Sequence, residues 1–194
     1  MDSLPIIKNI PLKHGNSLKI YPDYDPMNPR TDRDNFGKMV CFHQRYDLGD
    51  KTDLKSGDFS SWNDLKNFLI RRHNAGVVIP IFMIDHSGIS IRAGRDFSDC
   101  DPGCWDSGQI GFIYVSKEDI RKEFSVKRIT PAILEKARAL LISEVEFYND
   151  YLTGNVYGYE HVNAAGEVID SCFGFIGDYR ETILPEFKAE MIAG

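Results

Sequence analysis

Along the chain, apolar positions alternate with polar ones over short runs and return every three to four residues over longer ones, the periods of strands and helices. Ser17–Tyr21 and Lys38–Gln44 alternate and predict strands. In the second, Met39, Cys41 and His43 share one face and Val40 and Phe42 the other. Between them, Pro22–Pro29 holds three prolines in eight residues and predicts a loop. Ser60 or Ser61 predicts the cap of a helix running to about His73, with Leu65, Phe68, Leu69 and Arg72 on one stripe. Asn74-Ala75-Gly76 ends it, with Gly76 expected in the left-handed position. Val77–Ile84 is apolar on both faces and predicts a central strand, and Asp85-His86-Ser87-Gly88 predicts a turn into a partner strand, Ile89–Arg92.

Residues 93–108 read as a long loop rich in Gly and Asp, of a length that is often functional. Ile110–Val115 returns as a strand, and Ser116 with Asp119 resembles a capping box opening a short helix. Thr130-Pro131 starts a helix to about Tyr151, whose Ile133, Ala137, Leu140, Leu141, Val145 and Tyr148 face the core. Gly154–Val162 and Glu167–Phe175 form a hairpin closed by Asn163-Ala164-Ala165-Gly166, and Pro185–Ile192 is a terminal helix. Hairpins outnumber strand–helix alternations. The expected fold is a single α+β domain over residues 1–194, with a mainly antiparallel sheet and helices packed on one face.

Composition sharpens this picture in three ways. Apolar residues at 42% and charged residues at 27% are ordinary globular usage, which argues against disorder. No run approaches the about 20 apolar residues of a membrane helix, and Met1–Lys13 has no apolar leader segment, so a cytoplasmic protein with no membrane partner is expected. Cys41, Cys100, Cys104 and Cys172 are then thiols, with Cys41 and Cys172 small buried hydrophobes. The net charge of −6 is uneven: residues 1–130 hold 19 Lys+Arg against 18 Asp+Glu, and residues 131–194 hold 4 against 11. That balance disfavours direct nucleic-acid binding and suits docking onto a basic protein surface.

Four constellations could carry chemistry. Cys100 and Cys104, which His43, His86 and His161 could join, are metal ligands by type, but no second close pair follows. Gly103-Cys104-Trp105 resembles the cysteine–tryptophan pair of papain-like proteases, with His161 and the Asp170–Gly174 segment downstream; the residues after Cys104 run into a strand instead of a helix. Asp85-His86 ends the central strand, where Asp47, Asp50, Asp101 and Asp106 could converge to activate water for phosphoester hydrolysis, or simply build turns. Finally, Glu144, Glu146, Asp150, Tyr157, Tyr159, Glu160, Glu167, Asp170 and Asp178 would form an acidic, aromatic binding face, unless the rings fill the core. No phosphate-cradling glycine motif is present, and no cofactor is implied.

Six segments together resemble a family of small proteins carried by bacteriophages and mobile elements: Asp34–His43, Tyr46–Asp50, Asp85–Gly88, Trp105–Ser116, Tyr151–Gly158 and Asp170–Phe175. The likeness spans about residues 15–177, departing at Phe173, where a Trp is expected, and in an extra Asp99–Asp101 region. It lends no catalytic residue. It implies an accessory protein that blocks a host defence nuclease, as an anti-CRISPR protein does, by stoichiometric binding through the acidic face. The competing expectation is a metal- or Asp/His-dependent hydrolase of a phosphoester or nucleic acid, sited at Asp85, His86 and the 93–108 loop.

Overall fold

The computed structural model describes residues 5–192. The first four residues of the segment searched for a leader lie outside the described residues. The fold is α+β with antiparallel sheets, and the chain falls into two compact units, each with its own four-stranded sheet. One unit is residues 1–28 with 150–194, the other residues 29–149.

In the first unit the strands are β1 (Lys8–Pro11), β2 (Ser17–Pro22), β7 (Val156–Val162) and β8 (Val168–Ile176), in the order β1-β2-β7-β8. Pairing Ile20 with Tyr159 and Leu18 with His161 puts these side chains on one face. Against that face pack two short helices, α4 (Tyr179–Thr182) and α5 (Leu184–Phe187), through Tyr179, Ile183 and Phe187. The expected terminal helix at Pro185–Ile192 is thus a single turn, ending at Phe187. The β7–β8 turn forms as expected: Asn163 Oδ1 accepts from the Ala165 and Glu167 amides, and Gly166 takes φ 88°. Cys172 is exposed on β8, against the expectation of a buried hydrophobe, because β8 is an edge strand with solvent on most of its length.

The second unit orders its strands β3 (Lys38–Cys41), β6 (Ser107–Ser116), β4 (Ala75–Asp85) and β5 (Ile89–Ala93) as β3-β6-β4-β5. Helix α1 (Trp62–Arg72) buries Leu65 and Leu69 against Val40, Phe112 and Tyr114. Ser61 caps it by accepting from the Asp64 amide, and α2 (Lys117–Glu123) is capped the same way by Ser116. Asn74, at φ 48°, supplies the left-handed residue after α1; the expected Gly76 instead lies in β4, where a Cβ would come within 2.7 Å of Ile120. Helix α3 (Pro131–Leu152) buries Ala137, Leu141, Val145 and Tyr148 as expected, but Leu140 is 39% exposed. Among the described residues, no helix is long and apolar enough to cross a membrane.

Beneath the loop before β3 lies a closed polar network. Arg30 grips Asp50 with two bonds of 2.8 Å, reaches Glu144 at 3.1 Å and donates to the Gly37 carbonyl at 2.8 Å. Glu144 also accepts from the Phe36 amide at 2.6 Å, and Asp50 from the Met39 amide at 2.9 Å. Burial alone would lower the Arg30 pKa, yet Asp50 and Glu144 raise it above its ordinary value, so the guanidinium stays charged.

Candidate functional site

The second unit gathers most of the predicted Asp/His constellation at one end of its sheet. There β4 ends, β6 begins and the chain leaves β3, because β6 runs antiparallel to both its neighbours. Phe42, His43, Arg45, Asp85, Trp105 and Asp106 line a cleft of about 300 Å3, the lower end of the range for ligand sites. Asp85 accepts from Arg45 Nη2 at 2.5 Å and from the Tyr46 hydroxyl at 3.2 Å. His43 stacks on Tyr46 with ring centroids 5.1 Å apart, and its Nδ1 accepts from the Arg45 amide. At the rim, His86 Nδ1 lies 2.8 Å from Asp106 Oδ2, and its ring is exposed. Among the described residues, Nε2 of His86 has no partner.

The turn chemistry that competes with catalysis is real for part of the set. Asp101 accepts from the Trp105 and Asp106 amides and from the Ser107 hydroxyl, and these bonds, Ser107 foremost, hold its carboxyl below the ordinary range. Asp50 is spent on Arg30. Asp85 and Asp106 line the cleft, and His86 stands at its rim through its bond to Asp106. His43, Arg45 and Tyr46 complete it, and sequence reasoning gave none of them this role. No local signal marks them: β3 ends at Cys41, and Arg45 and Tyr46 reach Asp85 only through the β3-β6-β4 order.

Cys100 and Cys104 are exposed thiols in the loop before β6. Cys104 has φ 50° and donates its amide to the Asp101 carbonyl, a turn role, and no imidazole of its own unit contacts its thiol among the described residues. No three His, Cys, Asp or Glu side chains among the described residues are placed to hold a metal ion, so Cys100, Cys104 and His86 do not form a ligand set. Cys41 is half-buried, and burial pushes its thiol up to about 12, which leaves it unreactive.

Within the first unit the candidate binding residues do not share one face of the sheet, since Tyr159 and Glu160 point to opposite faces. Glu144 belongs to the second unit and is committed to Arg30 and the Phe36 amide. Glu146 is exposed on α3 in that unit. In the first unit Tyr159 is core, 6% exposed, with its hydroxyl donating to Asp170 at 2.8 Å. Burial first, then Asp170, pushes that phenol up to about 12. Glu160 lies on the opposite face, where it accepts from the Tyr21 hydroxyl at 2.8 Å. Tyr157 packs edge-on against Tyr179 and donates to Asn155, which also bonds Asp150. Asp178 caps α4 and pairs with Arg180. Glu167 is exposed and closes the β7–β8 turn through Asn163. The charge itself is nonetheless concentrated: the first unit holds 5 Lys+Arg against 11 Asp+Glu and the second 18 of each. No Lys or Arg occurs between Arg138 and Arg180, a gap visible in the sequence.

No family model matches the chain, and neither a curated protein nor a solved structure matches it.

Proposed function

We propose that the chain is an Asp/His-dependent hydrolase of a small phosphoester, acting at the cleft of the second unit. What supports this reading is the His86–Asp106 pair at 2.8 Å, with one imidazole nitrogen open, beside an Arg45 guanidinium that Asp85 holds by a single nitrogen. His86 is the general base, and Asp106 positions its ring and stabilises the imidazolium. Arg45 holds the phosphoryl oxygens, and Asp85 positions Arg45. Water attacks phosphorus, its oxygen forms the new P–O bond, and its proton passes to His86 Nε2. The ester P–O bond breaks, and the proton ends on the leaving alcohol oxygen. The test is turnover of nitrophenyl phosphate, a phosphomonoester, by the full chain and by His86→Gln. A loss of about 100-fold or more in kcat is expected; an unchanged rate sinks the reading.

A second reading, stoichiometric inhibition of a host defence nuclease, is favoured by one observation: the whole net charge of −6 falls in the first unit. On this reading the exposed carboxylates Glu167 and Glu181 face a basic surface of the nuclease, and binding weakens with salt. Pull-down from a bacterial lysate at low and high salt, with E167K and E181K, tests it. Capture of a nuclease that neither substitution nor salt weakens goes against it.

A further inference from the structure

Trp105 is 88% exposed, more than any other large apolar residue described. An indole so placed is a large area of apolar surface left in water, and such surface at a cleft marks a binding position. A Cβ at Gly103 would come within 2.1 Å of two indole atoms, so the ring lies over the Gly103 backbone. The turn beneath it is fixed by Asp101, which accepts from the Trp105 amide at 3.2 Å and the Asp106 amide at 3.0 Å. Part of the cleft lining is therefore a flat aromatic surface carried on a braced turn.

The same cleft is lined by Arg45, its side chain 71% exposed. Asp85 occupies one of its terminal nitrogens, and the guanidinium lies 5.7 Å from the Tyr46 ring centroid. The fork keeps donors directed to solvent, which suits a phosphoryl group. A flat ring beside a phosphoryl group is the outline of a nucleotide. Stacking of a base on an aromatic side chain is tolerant of base identity. The volume of about 300 Å3 fits a single nucleotide. The equal count of 18 cations and 18 anions in this unit offers no track for the backbone of a polymer.

We infer that the cleft takes a nucleoside monophosphate, with its base stacked on Trp105 and its phosphate on Arg45. This rests on the hydrolase reading for the fate of the phosphate and not for the stacking. The experiment titrates the full chain with a nucleoside 5′-monophosphate and with ribose 5-phosphate, following tryptophan emission and release of inorganic phosphate. Trp62→Phe isolates the Trp105 signal, and the substitution tested is Trp105→Ala. The nucleotide is expected to quench Trp105 and to be preferred over ribose 5-phosphate in kcat/KM, a preference that Trp105→Ala lowers tenfold or more. Equal kcat/KM for the two compounds, unchanged by Trp105→Ala, overturns the stacking and leaves the hydrolase reading standing. Quenching without phosphate release keeps the stacking and removes the hydrolase. Neither quenching nor release overturns both.

Discussion

Two arginine–carboxylate pairs in the second unit have the same chemistry and opposite consequences. The Arg30 side chain is 1% exposed and grips Asp50 through two nitrogens, with Glu144 and the Gly37 carbonyl taking more of its donors. Arg45 is 71% exposed and bonded to Asp85 through one nitrogen. The first pair is closed: little of its hydrogen-bonding capacity faces solvent, and it fixes the loop before β3. The second is open, with donors left for a ligand. Counting charges does not separate the two; burial and spare donors do. The acidic first unit teaches the same lesson, since Glu160 and Asp170 are each engaged by a tyrosine hydroxyl, on opposite faces of one sheet.

The sharpest way to break the comparison is to remove the closed guanidinium. Arg30→Ala leaves Asp50 and Glu144 charged and half-buried with three amides aimed at them. Removing one partner of a buried pair costs about 3–5 kcal/mol. Thermal and denaturant unfolding should show the second unit losing most of its stability. A change under about 1 kcal/mol would mean the network is not closed and the contrast with Arg45 fails.

A second test exploits the phenols of the first unit. Burial, then Glu160, pushes Tyr21 up to about 12, and burial, then Asp170, does the same to Tyr159. Their folded pKa values lie above the unfolded value near 10. The stability they contribute is therefore fully present below about pH 10 and is lost as pH rises towards 12. Ultraviolet titration should find at least two late-ionising tyrosines and alkaline unfolding in that window, with Tyr157 and Tyr114 also raised by burial. Asp170→Asn should move one of them down part of the way, since burial remains. Titration of every tyrosine near 10 would show those pairs to be open. Smaller again is the loss of the α1 cap: Ser61→Ala removes the acceptor of the Asp64 amide and should cost about 1 kcal/mol by denaturant titration.

Much of this was legible in the residues. The caps at Ser61 and Ser116, the Thr130-Pro131 start and the Asn163–Gly166 turn are local devices, and the structure forms each near its expected place. Strand β1 was missed because four residues ending in Pro11 carry no usable alternation. The division into two sheets was missed because it rests on β2 pairing with β7, across more than a hundred residues with no local signal. The same reason hid half of the site. Asp85 and His86 announced themselves at a turn, whereas Arg45 and Tyr46 meet them only through the β3-β6-β4 order. The acidic stretch is a different case: charge along a sequence says nothing of which side of a strand it falls on, nor of what hydrogen bonds consume it.

The smallest effect on stability is expected at the open pair, and it is the most informative. Exposed ion pairs contribute about 0–1 kcal/mol, so Arg45→Lys should leave unfolding within that range. Lysine keeps the charge and can still meet Asp85, but it lacks the planar fork that offers donors to the ligand while one nitrogen stays on the carboxylate. Phosphoester turnover should therefore fall by tenfold or more, with kcat/KM hit harder than stability. Loss of both together would make Arg45 a second Arg30, a structural residue that happens to be wet. Loss of neither would move the site away from this cleft.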